Sequence, residues 1–67
     1  MWTVVYVARN RQHGEKVKSR LEQEGLLVQL RTVKMSPDKP NCDIEVLVPR
    51  GEVQEAQEII ANILTHQ

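Results

Sequence analysis

The stretch Trp2-Thr3-Val4-Val5-Tyr6-Val7-Ala8 decides how this chain folds. Six of its seven residues are β-branched or aromatic, and neither glycine nor proline interrupts them, so the stretch reads as a strand. Arg9-Asn10-Arg11 ends it. Asn10 is suited to cap a helix, because its side-chain oxygen can accept an otherwise orphaned backbone N–H.

Downstream, the spacing predicts a helix from about Gln12 to Glu24, with Gly14, Val17 and Leu21 on one face. Gly14 stands where a larger apolar residue is expected, which thins the packing of that helix. Gly25 is suited to the left-handed residue just past the helix end, with Leu26 making the apolar contact that follows it. Leu27 to Val33 reads as a second strand, with Val28, Leu30 and Thr32 on one face and Leu27, Gln29, Arg31 and Val33 on the other. Lys34 to Cys42 is a loop, punctuated by Ser36-Pro37-Asp38 and Pro40-Asn41. Asp43 to Val48 is a third strand, with Ile44, Val46 and Val48 inward and Asp43, Glu45 and Leu47 outward. A second helix runs from about Glu52 to Leu64. Val53, Ala56, Ile59, Ile60, Ile63 and Leu64 form its broad apolar stripe. Glu52, Glu55 and Glu58 crowd its start, where the helix dipole favours negative charge.

The order strand, helix, strand, strand, helix has a compact solution. The first helix crosses over to a parallel strand, and the third strand inserts between the first two, antiparallel to both. The expected fold is therefore an α+β, βαββα ferredoxin-like sandwich lacking its fourth strand. It has a three-stranded antiparallel sheet in the order 1-3-2 and two helices on one face. The first strand becomes an edge, long and apolar, with no charge or proline to blunt it. Strict alternation sends Val5 and Val7 towards the helices. It leaves Trp2, Val4 and Tyr6 on the open side with Leu47. These four residues are the candidate self-association surface, for a homodimer formed edge to edge or face to face. A bare edge strand can also receive a strand from another protein partner.

Length and composition set limits. At 67 residues the chain is expected to be one domain, 1–67. So small a domain buries only about 60% of its unfolded surface. It has no room for the cofactor cleft of a pyridoxal-phosphate decarboxylase, a kinase or a dinucleotide enzyme, and no cofactor is expected. A single cysteine excludes a disulfide framework. Met1-Trp2-Thr3-Val4-Val5 lacks the basic start of a signal peptide, and no apolar run is long enough to span a membrane, so a cytoplasmic location is the expectation.

The chain resembles the small bacterial signal-transducing protein family whose domains are related in fold to the nitrogen-regulatory PII-like group. The matching stretches are Val4-Val5-Tyr6-Val7-Ala8, Val17-Lys18-Ser19-Arg20-Leu21-Glu22-Gln23-Glu24-Gly25-Leu26, Ile44-Glu45-Val46-Leu47-Val48-Pro49 and Glu55-Ala56-Gln57-Glu58-Ile59-Ile60. They cover nearly the whole chain. The resemblance implies a fold and a signalling role; it supplies no catalytic residues.

Charge is lopsided although the total is zero. Residues 1–34 carry seven basic and three acidic side chains, and residues 35–67 carry two basic and six acidic. Two helices with complementary faces would account for this, through weak exposed pairs. A sharper reading concerns Arg9, Asn10, Arg11 and His13, which flank a helix N-terminus and could hold a phosphate or carboxylate. An isoelectric point near 6.7 argues against nucleic acid. Cys42 stands beside Asp43, which disfavours a reactive thiolate. His13, Cys42 and His66 lack metal-ligand spacing. Ser19, Ser36 and the carboxylates form no catalytic partnership, so no enzyme activity is expected.

Overall fold

The computed structural model describes residues 1–33 and 43–65. The elements run β1 (Trp2–Ala8), α1 (Arg11–Gln23), β2 (Gln29–Val33), β3 (Asp43–Pro49), a 3-10 turn (Arg50–Glu52) and α2 (Val53–Thr65). The three strands form one sheet in the order β1-β3-β2, with β3 antiparallel to both neighbours. This is the βαββα α+β arrangement expected from the pattern. The Lys34–Cys42 loop, Cys42 itself and His66 lie outside the described residues.

β3 lies between the other two strands, and its Ile44, Val46 and Val48 alternate onto the face that the helices cover. Val46 and Val48 pack under the helices with Val17, Leu21, Leu26, Ala56 and Ile60. Leu47, on the opposite face, is nonetheless only 4% exposed.

Both ends of α1 are fixed by local chemistry. Asn10 is extended, and its Oδ1 accepts the His13 N–H at 2.8 Å, while its carbonyl accepts the Gly14 N–H at 3.0 Å. At the other end Gly25 adopts φ +89°. The Leu26 N–H reaches the Leu21 carbonyl at 3.2 Å and the Gly25 N–H reaches that of Glu22 at 3.0 Å. This pair of bonds makes a Schellman turn, and it carries Leu26 into the core against Leu21.

That turn also explains why β2 begins at Gln29 rather than Leu27. Leu27 is left on the surface, and its N–H is donated to Glu52 Oε1 at 3.0 Å instead of to a neighbouring strand. The 3-10 turn that carries Glu52 separates β3 from α2, so α2 begins at Val53, the first residue of its apolar stripe, rather than at Glu52. Leu64, in the last turn of α2, remains half exposed.

Gly14 is the second departure from expectation. It is buried where α1 meets the sheet. A Cβ placed there would lie 2.9 Å from Ile44 Cγ2 and 3.2 Å from Ile44 Cβ. The missing side chain lets the helix approach the sheet closely; it does not thin the packing.

The third departure is in β1. Val4 pairs with Leu47 and Tyr6 with Val46, so the register slips by one residue between them and Val5 is an inserted residue. Two residues on β1 then oppose one on β3, which is a β-bulge. Val5 and Tyr6 both lean towards the helix layer and pack against the core. Beyond the bulge the alternation is inverted. Tyr6 leaves the open face to which strict alternation assigns it, and Val7, paired with Glu45, takes the open side.

Candidate functional site

Among the described residues no helix covers one face of the sheet. On β1 it presents Trp2, Val4 and Val7, which are 44%, 37% and 50% exposed. Leu47 floors a depression of about 350 Å³ that is rimmed by Trp2, Val4, Gln29 and Arg31. Across β3 and β2 the face turns polar. The Arg31 Nε–H donates to Glu45 Oε1 at 2.7 Å, and a second guanidinium nitrogen meets the same oxygen. The two residues sit directly opposite in the β2–β3 register, where cross-strand pairs of opposite charge support a sheet.

Of the four candidate self-association residues, the structure therefore brings Trp2, Val4 and Leu47 together and removes Tyr6. Sequence alternation alone missed Val7. A signal for it was present in Ala8. This small residue is buried opposite Ile44, beside the close approach of Gly14. An inward Ala8 puts Tyr6 inward two residues earlier, which conflicts with an outward Val4 unless the strand carries an extra residue between them.

Tyr6 instead meets α1. Its hydroxyl lies 2.8 Å from His13 Nε2, and the two rings are tilted by 52° with centroids 5.5 Å apart. This contact ties the middle of β1 to the first turn of α1.

The Arg9–His13 segment does not converge on one point. Asn10 Oδ1 already occupies the His13 N–H as a cap. Arg11 faces Glu15 along the helix at 3.8 Å, with both side chains largely in solvent. His13 turns to Tyr6, and Arg9 is exposed. Asn10 thus caps one backbone N–H of the helix N-terminus from within the chain.

Nor do the two helices join their opposite charges. Among the described residues the ion pairs are Arg11–Glu15 and Arg31–Glu45, and neither links α1 to α2. Glu52 accepts a backbone N–H, and Glu55 and Glu58 are exposed. Among the described residues no three His, Cys, Asp or Glu side chains lie close enough to hold a metal ion. No helix among them is long and apolar enough to cross a membrane. No family model, curated protein or solved structure matches the chain.

Proposed function

We propose that this protein is a small binding or regulatory module without catalysis that works as a homodimer, in which a second copy covers the helix-free sheet face. The observation that carries the reading is the row of Trp2, Val4 and Val7, side by side and exposed on a face that no helix covers. In a domain of 67 residues such apolar area is costly to leave in water, and small cores gain from association. A second copy suits the face on charge grounds. The β1 side carries no charge, and Arg31 and Glu45 are already paired, so two copies related by a two-fold axis meet apolar surface to apolar surface. The resemblance to signal-transducing proteins of PII-like fold points to the same class of role.

The alternative is that the outer edge of β1 receives a strand from another protein. Among the described residues no strand pairs with that edge. The bulge at Val5, however, breaks the regular alternation of outward N–H and C=O groups, as edge strands that avoid pairing often do. The bulge therefore favours face-to-face over edge-to-edge contact.

Light scattering across a dilution series, with Trp2 fluorescence read at each step, tests the reading. The expected result is a dimer whose Trp2 emission is blue-shifted and protected from quencher, both lost on dilution. A monomer at micromolar concentration with solvent-exposed Trp2 overturns it.

A further inference from the structure

The excess of positive charge on α1 is left over by the self-association reading, and it has its own place in the fold. On the helix layer, opposite the open sheet face, a groove of about 660 Å³ runs between α1 and the C-terminal half of α2. Its volume falls within the roughly 300–1,000 Å³ typical of small-molecule sites. Lys16 and Arg20 line it one turn apart, with His13 and Ser19 to either side of them on α1, and Ile63 of α2 gives it an apolar wall over the buried Val17. Among the described residues no carboxylate lines it. Among the described residues neither Lys16 nor Arg20 has an acidic partner within ion-pair distance.

We infer that this groove binds a small phosphate monoester with an apolar carbon body. Two like charges at this spacing on a helix repel, and a dianion held between them turns that repulsion into attraction. Arg20 can engage two phosphate oxygens at once, whereas Lys16 acts as a point charge. Ser19 adds a neutral donor. His13 is held in position before any ligand arrives by its contact with Tyr6. The contact engages Nε2 and leaves Nδ1 as the ring nitrogen not committed to Tyr6. Ile63 suits the carbon body, and a bare inorganic ion leaves that contact unused. The site does not depend on dimer formation, because it lies on the other side of the sheet.

The test is a titration of the intact, ¹⁵N-labelled chain at constant ionic strength, following backbone amide shifts with phenyl phosphate and separately with inorganic phosphate. The expected result is saturable shifts at residues 13–23 and at Ile63, with phenyl phosphate bound at least about tenfold more tightly than inorganic phosphate. The double variant Lys16→Gln/Arg20→Gln should weaken phenyl phosphate by at least about tenfold while the amide spectrum stays dispersed. Each single substitution should weaken it in part, which keeps the test decisive if the double variant folds poorly. Arg9→Gln/Arg11→Gln should bind as the unaltered chain does. The inference is overturned by an absence of saturable shifts up to about 10 mM phenyl phosphate. It is overturned equally if the shifts centre on Arg9 and Arg11, or if binding is indifferent to Lys16 and Arg20.

Discussion

Gly14 of α1 sits so close to Ile44 of β3 that a single added carbon would stand 2.9 Å from Ile44 Cγ2. The atoms in the way belong to a β-branched side chain near its backbone, which has little freedom to move aside. Alanine favours helices over glycine by about 1 kcal/mol, so propensity alone makes Gly14→Ala stabilising. The contact reverses the sign, since overpacking a closed site costs about 1–3 kcal/mol. Urea unfolding of Gly14→Ala should show a net loss of stability. In the double variant Gly14→Ala/Ile44→Ala the loss should fall short of the sum of the two single effects. A stabilised Gly14→Ala protein would mean that α1 does not press on the sheet at this point.

Gly25 offers the opposite case. Nothing lies within 4 Å of where its Cβ would be, yet its φ is +89°. Gly25→Ala should therefore destabilise through backbone conformation alone, by about 1–2 kcal/mol. Gly25→Asn should cost less, because asparagine tolerates the left-handed region. Thermal melts of the two variants side by side check this order.

Asn10 holds the other end of the same helix. Asn10→Ala should lose about 1 kcal/mol, whereas Asn10→Asp and Asn10→Ser should stay close to the parent. Chemical denaturation measures the difference. Equal losses in all three variants would show that the contact to the His13 N–H is not what starts the helix.

The bulge at Val5 makes a paired prediction that strict alternation reverses. Val7→Lys should leave the monomer's stability within about 0.5 kcal/mol, since the side chain is half exposed, and should dissociate the proposed dimer. Tyr6→Phe should leave association unchanged and cost about 0.5–1.5 kcal/mol through the lost contact to His13. Sedimentation and urea unfolding on both variants separate the two effects. Dissociation by Tyr6→Phe, with Val7→Lys remaining dimeric, would place the strand in the opposite phase.

Much of the architecture was legible because punctuation and periodicity agree. Asn10, Gly25 and Pro49 mark the ends of elements, and the alternation around Val46 and Val48 marks the inner face of β3. The register of β1 was not legible in the same way. Val4, Val5, Tyr6 and Val7 are all apolar and β-forming, so either phase satisfies the pattern and an inserted residue leaves no trace in composition. Gly14 was misleading for a related reason, since a gap in an apolar stripe looks the same whether it is a weakness or a clearance. The late start of β2 follows the turn at Gly25, and the bond that then holds Leu27 runs to Glu52, a pairing twenty-five residues apart that no local window contains. At the candidate surface, Trp2, Val4 and Leu47 followed from alternation, whereas Val7 required knowing that Ala8 faces the crowded turn of α1.

The inserted residue at Val5 also sets what kind of sequence change β1 can absorb. Each half of the strand keeps its own allegiance, Trp2 to Val4 set from one side of the insertion and Tyr6 to Ala8 from the other. Exchanging one apolar residue for another leaves both allegiances intact. Removing Val5 itself sets Val4, opposite Leu47, directly beside Tyr6, opposite Val46, so ordinary alternation keeps both halves on their present faces. Removing a residue elsewhere in the strand turns part of it over, sending Trp2 beneath the helices or Tyr6 away from His13. The inserted position is therefore where this strand can lose a residue and still present the same two faces.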